Sequence, residues 1–331
     1  MNGPLRFVPY LRPMVWGGRR LKEVLGKSLP TDEPYGESWE ISDHSSHQSV
    51  VASGPLAGKT LRQLMEEDRA ALLGRGAEAY RVFPWLIKFL DARDWLSVQV
   101  HPDDEEVKRL LPGEGGKTEA WFVLDAQPGS RVYAGLLPGV DEERLRAALA
   151  AGTVADCLHT FAPQPGDCVF LPAGTVHAVG GGVLMAEVQQ TSDATFRLFD
   201  WNRHDAFGKA RALHIEEALA CIDWHRGPVR PIHVEDYAAS ALQPASPGTK
   251  RKSLVSCAYF KLEFLYANEP FEFGGEGRLQ VLIVLGGNGR LATDAGEEEA
   301  KLGQVWLAPA AMRAHRCRPN GGLRALLCSL P

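Results

Sequence analysis

The sequence predicts a mainly β protein, of the barrel or sandwich type, with only a few short helices. The chain has 331 residues, and its 34 glycines and 22 prolines indicate a backbone that turns often. Most apolar runs are short and are bounded by Gly, Pro or Asp, which is typical of strands. Because segments with the helical period are few, the pattern favours a β barrel or sandwich.

Three segments do follow the helical period. Residues 60–80 carry apolar side chains at helical spacing between charged ones, which predicts one or two short helices with Thr60 as a possible cap. Residues 141–151 show the same pattern. A third helix is predicted at 213–222, after a basic and polar stretch. The helices therefore occupy a small part of the chain.

Strand signals fill most of the remaining sequence. In the first half they lie at 85–90, 95–100, 120–124, 167–171, 183–188 and 195–199. In the second half they lie near Val255 and Phe260 and at 279–285, 289–292, 305–307 and 323–327. Between the two groups, residues 226–252 are rich in Pro, Ala and Ser, and their apolar periodicity fades, which indicates a linker.

A weak internal repeat supports two related β-domains. Residues 166–177 run from a glycine through a strand to a proline and then to His177. Residues 303–315 repeat this order, with one extra residue before His315. Both copies predict a turn, a strand that the proline ends, and a tight turn into the next strand.

Charge and cysteine usage exclude several classes of partner. The formal net charge is −5, so we expect no nucleic-acid partner. No segment has the pattern of a signal peptide or the length of a membrane helix, so we expect a cytoplasmic protein with no membrane partner.

The cysteines form no C-x-x-C pair, which fits neither a disulfide framework nor a thiolate zinc site. We expect free thiols, mostly buried, at Cys157, Cys168, Cys221, Cys257, Cys317 and Cys328.

One group of side chains suggests metal chemistry. Gln99 and His101 are two residues apart on a predicted strand, so both point to the same face. Lys117 and Glu119 have the same spacing, and His177 ends the first copy of the repeat. Imidazole nitrogen and carboxylate oxygen suit Zn²⁺, which takes three or four such ligands. Two histidines and one glutamate therefore form a candidate zinc triad.

Each of these residues also has a simpler interpretation. His101 could be a hydrogen-bonded structural residue, Glu119 could form a surface ion pair, and His177 could sit in a turn that caps a hairpin. Their occurrence together in one predicted β-domain favours the metal site. A Gln-x-His strand, a later Glu and a His after the Gly-Pro segment form the general pattern of a cupin metal site.

Six motifs identify a family that the chain resembles. They are Trp16-Gly17-Gly18, Gly36-Glu37-Ser38-Trp39-Glu40, Ser97-Val98-Gln99-Val100-His101-Pro102-Asp103, Gly116-Lys117-Thr118-Glu119-Ala120-Trp121, Pro172-Ala173-Gly174-Thr175-Val176-His177-Ala178 and Gln189-Gln190-Thr191-Ser192-Asp193-Ala194-Thr195-Phe196-Arg197. With these motifs the chain resembles the type I phosphomannose isomerases in their short bacterial form, from Pro9 to about Arg203 and more weakly beyond. The resemblance implies two cupin-type β-barrel (jelly-roll) domains with a few short helices.

The resemblance also implies a ligand set for one Zn²⁺ per chain. His101, Glu119 and His177 fall on the zinc ligands of the family. Gln99 falls on a position that supplies a further ligand in longer members. Longer members also carry a helical insertion for which this chain has no room in full, so part of the pocket wall and of phosphate recognition is expected to differ.

Four residues match active-site positions of the family. Arg197 falls on the active-site arginine, where it would place a fixed positive charge beside the oxyanion or the phosphate. Lys117 and Asp193 match further catalytic positions; Lys117 would also contact substrate, and Trp16 aligns with an aromatic residue near the sugar pocket. Each also has a simpler interpretation. Lys117 could be a solvated loop lysine, Asp193 could belong to a β-turn, and Arg197 could form a cross-strand ion pair.

The motifs contain two other tryptophans, Trp39 and Trp121, which are interpreted as core residues.

The activity that the resemblance implies is interconversion of mannose 6-phosphate and fructose 6-phosphate. Such an aldose–ketose isomerisation opens the sugar ring, removes a proton α to a carbonyl and stabilises an enediolate. Zn²⁺ can stabilise that oxyanion as a Lewis acid, and Lys117 or Asp193 could transfer protons. The substrate would be a small phosphosugar, and the enzyme a monomer or homodimer.

The repeat and the resemblance together predict the domain organisation. Residues 1–225 would form a catalytic, metal-binding cupin domain with helical insertions, and residues 226–252 a linker. Residues 253–331 would form a second, degenerate cupin-like domain. This second domain keeps His315 but has neither a Gln-x-His strand nor a Gly-Lys-Thr-Glu segment, so we expect it to play a structural role without a metal.

Three other functions compete with this interpretation. The chain could isomerise another aldose phosphate, or it could bind a phosphosugar without turning it over. It could also be a cupin oxygenase that uses Fe²⁺ at similar ligands. Lys117 and Arg197 argue against the oxygenase, because an apolar dioxygenase pocket does not need two fixed cations. The intact ligand set and Arg197 argue against a binding protein.

Overall fold

Strands dominate the computed structural model, which describes residues 1–203, 209–235, 237, 248–294 and 296–331. In chain order the strands are β1 Tyr10–Gly18, β2 Tyr35–Ile41, β3 Asp43–His44, β4 His47–Gln48, β5 Trp85–Ala92, β6 Val98–Val100, β7 Glu119–Ala126, β8 Arg131–Leu136, β9 Leu158–Phe161, β10 Asp167–Leu171, β11 His177–Gly180, β12 Val183–Gln190, β13 Phe196–Phe199, β14 Ile232–His233, β15 Thr249–Ser256, β16 Lys261–Ala267, β17 Phe271–Phe273, β18 Gln280–Thr293, β19 Gly296–Lys301, β20 Val305–Ala308 and β21 His315–Ser329. The helices are α1 Arg20–Glu23, α2 Leu61–Leu73, α3 Glu106–Leu110, α4 Glu142–Ala151 and α5 Ile215–Cys221, with two short 3₁₀ helices at Ala77–Ala79 and Val154–Cys157. The predicted class, mainly β with few helices, is confirmed.

Three antiparallel sheets contain most of these strands. The large sheet has the order β1-β2-β5-β12-β7-β10-β14, and the small sheet has the order β13-β6-β11-β8-β9. The C-terminal sheet has the order β15-β16-β21-β18-β19, with β17 paired to β21 and β20 paired to β18. Each order is an open path, so the sheets are stacked and do not close into rings.

Apolar cores on both faces of the large sheet hold the three sheets together. Between the large and small sheets, Trp121 and Val123 pack with Val132 and Val179. On the opposite face, the large sheet packs against α2 and the C-terminal sheet. The small sheet is covered on its outer side by α4 and α5. The large sheet is therefore buried on both faces, and any polar side chain between it and the small sheet needs a partner.

The predicted helices are confirmed with small changes in their bounds. Thr60 caps α2, because its hydroxyl accepts the Gln63 amide hydrogen and the Gln63 side chain accepts the Thr60 amide hydrogen. The helix kinks at Asp68, and Asp141 caps α4. The short helices α1 and α3 were not predicted, since neither is long enough to show a period. No helix in the described part of the chain is both long and apolar enough to cross a bilayer.

One strand prediction is wrong in a way that glycine explains. The segments 279–285 and 289–292 are predicted as separate strands, with Gly286-Gly287-Asn288 between them. In the structure they form the single strand β18, and the register against β21 shifts at these glycines. Gly287 has a φ of +68°, and a Cβ there would lie 1.9 Å from the Gly322 oxygen. The glycines therefore form an irregularity within a long strand.

The predicted linker contains paired strands in its described part. β14 pairs with β10 of the large sheet, and β15 begins at Thr249, earlier than the expected start near Val255. Residues 236 and 238–247 of the predicted linker lie outside the described residues, as do residues 204–208 of the basic stretch before α5. The N-terminal segment joins the C-terminal sheet, because Leu5 and Leu307 exchange two backbone hydrogen bonds. The three-part domain division stays a prediction.

The cap of α2 gives a test of this packing. We expect Thr60→Ala to lower the free energy of unfolding by about 1 kcal/mol, because it removes the hydroxyl that accepts the Gln63 amide hydrogen. Thr153→Ala is the control, since Thr153 precedes a 3₁₀ helix without capping it through its side chain. Urea unfolding of both variants measures the difference. Equal stability of the two variants would contradict the role of the cap.

Candidate metal centre and its pocket

The candidate zinc triad lies between the large and small sheets. His101 directly follows β6 and His177 begins β11, two paired strands of the small sheet in which Gln99 is the registered partner of His177. Glu119 begins β7 on the facing large sheet. One ligand atom from each of the three residues lies within 4.8 Å of the others. All three side chains are almost completely buried, so the structure brings the predicted triad together.

Backbone contacts orient both imidazoles toward Glu119. His101 Nδ1 lies 2.8 Å from the Ala194 oxygen, and His177 Nδ1 lies 2.8 Å from the Thr175 oxygen. A carbonyl oxygen can only accept, so each Nδ1 carries the proton and each Nε2 keeps a lone pair. These Nε2 atoms lie 3.5 and 3.3 Å from the Glu119 carboxylate. Two lone pairs and a carboxylate therefore converge on one point.

The charges at this point also suit a divalent cation. Burial raises the pKa of Glu119, but Lys117 and the two histidines lower it further, so the pKa lies well below its usual value. Burial, followed by the charge of Lys117, lowers the pKa of His101 to about 3. Neutral imidazoles and an ionised carboxylate are the protonation states that bind metal. The three residues fit Zn²⁺.

The Lys117 ammonium is the nearest cation to these ligands. Its Nζ atom lies 2.8 Å from Glu119 Oε2 and 3.0 Å from His101 Nε2. The lysine satisfies the charge of Glu119, but neither carboxylate oxygen has a well-formed hydrogen bond within the described residues. Glu119 thus keeps the capacity to bind another cation. Lys117 is buried, so its charge lies inside the protein and not in solvent.

Gln99 lies beside the triad and contacts a member of it. Its amide nitrogen is 3.3 Å from His177 Nε2, and its amide oxygen accepts a hydrogen bond from Ser97 Oγ at 3.2 Å. The amide nitrogen, which cannot bind a metal, thus faces the triad. The role of Gln99 as a ligand stays a prediction.

A polar cavity of about 150 Å³ lies beside the triad, and two of its lining residues, Gln99 and Lys117, contact the triad directly. Its lining includes all the predicted site residues outside the triad, namely Trp16, Gln99, Lys117, Asp193 and Arg197. Trp16 is buried and comes from β1 of the large sheet, while Arg197 comes from β13 of the small sheet. Residues far apart in the sequence are therefore brought to one cavity.

Arg197 differs from the other cations that line the cavity, because it has no ion pair with any residue that the structure describes. It is registered opposite Gln99, which is registered opposite His177, so the three residues form one row across the small sheet. In the part of the chain that the structure describes, its guanidinium has no ion pair, and its buried Nε atom has no acceptor. The neighbouring Arg211 is bound to Asp200. Arg197 is thus not a cross-strand ion pair but a half-buried donor that can bind an anion.

Asp193 contacts Arg12 and not Arg197. Its carboxylate accepts a hydrogen bond from Arg12 Nη1 at 3.3 Å. Burial raises the pKa of Asp193, but Lys88 and Arg12 lower it further, so the net shift is downward. The loop that precedes β13 directs this carboxylate toward β1, whereas Arg197 lies within β13.

A buried ion pair on the large sheet was not predicted from the sequence. Lys88 and Glu187 are registered partners on β5 and β12, and Lys88 Nζ lies 3.2 Å from Glu187 Oε1. Burial alone would lower the pKa of Lys88, but Glu187 and Glu37 raise it above its usual value. The signal that could have revealed the pair is one charged residue inside each of two otherwise apolar strands.

Both tryptophans that were expected in the core also bind carboxylates of this cavity. Trp121 Nε1 donates to Glu187 at 2.9 Å, and Trp39 Nε1 donates to Glu37 at 2.7 Å. Glu37 also accepts a hydrogen bond from Arg12 at 3.0 Å. The core prediction for Trp39 and Trp121 is confirmed by their burial, and their indole N–H groups hold the acidic residues in place.

Comparison with known proteins identifies the family. The family described as phosphomannose isomerase type I, catalytic domain, matches residues 5–117. Mannose-6-phosphate isomerase ManA of Bacillus subtilis is 35% identical to this chain over 310 residues, which cover 92% of this chain and 93% of the relative. The chain belongs to the type I phosphomannose isomerases. The family resemblance expected from the motifs is confirmed, and the protein is an enzyme of the isomerase class.

Other relatives agree with this family assignment. The mannose-6-phosphate isomerase of Streptococcus mutans is 41% identical over 219 residues, 66% of this chain and 67% of that relative. A crystal structure of the mannose 6-phosphate isomerase from Bacillus subtilis matches with a TM-score of 0.85 and 29% identity, over 100% of both chains. The isomerase therefore shares its whole architecture with a structurally characterised member of the family.

Removing either imidazole tests the metal centre of the isomerase. We expect His101→Ala and His177→Ala to bind Zn²⁺ more than about 100-fold more weakly, because each removes an inward-facing Nε2 lone pair. His233→Ala is the control, since its ring is bound to Asp167 away from the triad. Competition with a chelating dye and elemental analysis measure the affinity and stoichiometry. Wild-type zinc affinity in both triad variants would refute the site.

Proposed function

We propose that this isomerase interconverts mannose 6-phosphate and fructose 6-phosphate with one Zn²⁺ per chain. The observation that carries the proposal is the buried triad of His101, Glu119 and His177, which lies beside a cavity lined by Arg197, an arginine with no ion pair within the described residues. A metal site beside an anion-binding donor fits a substrate with sugar oxygens at one end and a phosphate at the other. The names of the relatives from Bacillus subtilis and Streptococcus mutans support the same substrate.

The triad residues would hold the zinc ion, and Gln99 would add its amide oxygen after a rotation of the amide group. When bound, the ion would act as a Lewis acid toward the sugar oxygens. The backbone bonds of His101 and His177 fix their tautomers, so neither ring has to rotate or change its proton. The two imidazoles are therefore oriented for a metal before substrate arrives.

Lys117 is the residue we assign to proton movement at the substrate oxygens. In the isomerisation a proton leaves C2 of the open-chain aldose, and C1 later receives one, while the oxygens exchange a proton through the enediolate. The Lys117 ammonium lies next to the triad and lines the cavity, so it can donate to an oxygen of that intermediate. Its charge also favours the enediolate over the neutral sugar.

Arg197 is the residue we assign to the anionic groups of the substrate. A guanidinium can bind phosphate or an oxyanion through two parallel N–H donors, and it stays protonated. Arg211 lies close enough to lower the pKa of Arg197 further than burial alone does, so an anion between the two would gain from both charges. Trp16 would supply an apolar wall against the sugar, and Asp193, bound to Arg12, would close the rim of the cavity.

The direct test is conversion of mannose 6-phosphate to fructose 6-phosphate by the purified protein. We expect activity that chelator removes and added Zn²⁺ restores. Bound metal with no ketose phosphate formed would refute this substrate, and a set of other aldose phosphates would then identify the correct one. Activity that survives complete removal of metal would refute the role of zinc.

Arg197 can be tested separately from the metal. We expect Arg197→Ala to lower kcat/KM by at least about 100-fold, because a charged hydrogen-bond donor to the substrate is lost, while zinc content stays unchanged. Arg197→Lys should recover part of the activity. Arg146→Ala, which removes a surface arginine paired with Glu216, is the matched control. Wild-type kinetics in Arg197→Ala would exclude this arginine from the mechanism.

A further inference from the structure

A tyrosine from the C-terminal sheet reaches the segment that follows the first zinc-ligand candidate. Tyr259 lies in the turn between β15 and β16, and its hydroxyl donates to Asp104 Oδ2 at 2.8 Å. Asp104 is three residues after His101. The backbone oxygen of Tyr259 accepts the indole N–H of Trp85 at 3.0 Å, and Trp85 is completely buried in the large sheet. The turn is thus fixed at two points.

The other oxygen of Asp104 holds the backbone beside Lys117. Asp104 Oδ1 accepts the Gly116 N–H at 3.2 Å and the Gln190 side-chain amide at 3.0 Å. The Gln190 side-chain oxygen in turn accepts the Thr118 N–H at 2.9 Å. The residues immediately before and after Lys117 are therefore both held by this pair of side chains.

Steric fit shows how closely Asp104 approaches this backbone. A Cβ at position 116 would lie 2.6 Å from Asp104 Oδ1, which is closer than nonbonded atoms can come. Gly116 is thus required by the contact with Asp104. The Lys117 N–H donates to the Pro102 oxygen at 3.0 Å, so three successive amides of the segment 116–118 are bound.

We propose that Tyr259 is a positioning residue for Lys117. The hydroxyl fixes one oxygen of Asp104, the other oxygen then holds Gly116 and Gln190, and the ammonium of Lys117 is thereby placed against Glu119. Because the Lys117 side chain is long, a small shift of its backbone moves the ammonium away from the reacting oxygens. The effect of Tyr259 on catalysis rests on the proposed isomerase function, whereas its effect on the segment 116–118 does not.

Through Tyr259, the C-terminal sheet would influence the reaction. Without the Tyr259 hydroxyl, Asp104 Oδ2 would hydrogen-bond to water. The carboxylate would then no longer be held in the orientation in which Oδ1 accepts the Gly116 N–H. The effect would reach the site through the turn between β15 and β16, without any residue of that sheet touching substrate. A role limited to overall stability would not act on Lys117 selectively.

The kinetic test uses Tyr259→Phe, which removes one oxygen atom. We expect kcat to fall about tenfold, with KM for mannose 6-phosphate within twofold of wild type and zinc content unchanged. Tyr266→Phe is the matched control, since Tyr266 is buried on β16 of the same sheet and its hydroxyl has no hydrogen bond within the described residues. Wild-type kcat in Tyr259→Phe, or an equal fall in Tyr266→Phe, would overturn the proposal.

A structural readout separates this inference from the proposed function. Hydrogen exchange of the Gly116 and Thr118 amides should be at least about tenfold faster in Tyr259→Phe than in wild type, and unchanged in Tyr266→Phe. Asp104→Asn should match Tyr259→Phe, and the double variant should be no worse than Asp104→Asn alone. Faster exchange with no isomerase activity in wild type would refute only the proposed function. Unchanged exchange would overturn the positioning role.

Discussion

The buried carboxylate of Glu119 is the constraint on which the rest of the site depends. An ionised carboxylate without water is costly, and it persists only when cations and oriented donors surround it. Lys117 supplies one cation, and the two histidines turn their lone pairs inward because backbone carbonyl oxygens take their protons. The site therefore keeps two inward lone pairs and a carboxylate whose oxygens have no well-formed hydrogen bond within the described residues, and this arrangement favours a bound divalent metal.

Strand register places the charged and polar side chains of the site on two facing sheets. On the small sheet, Arg197, Gln99 and His177 stand in one row, and on the large sheet Lys88 and Glu187 face the same interior. Both sheets also contribute apolar side chains to the core that they share. A shift of either sheet by one residue would turn its half of these charges into the apolar core on its other face, so packing and site geometry are enforced together.

The local features were predictable from the sequence, and the pairings between distant segments were not. The two-residue spacing of Gln99 and His101 and the cap of α2 depend only on neighbouring residues, and both are found as expected. The Lys88–Glu187 pair depends on which strands are neighbours, and the contact of Tyr259 with Asp104 depends on how two sheets pack. No period or motif within one segment carries that information.

The bridge between Leu5 and Leu307 has a consequence for the order of synthesis. These residues exchange two backbone hydrogen bonds, although almost the whole chain separates them. A ribosome that adds 5 to 20 residues per second would need roughly 15 to 60 s to pass from one to the other. Throughout that interval Leu5 lacks this backbone partner, whereas Phe7 can already bridge Val51, so the exposed backbone groups of Leu5 are open to a chaperone or to aggregation.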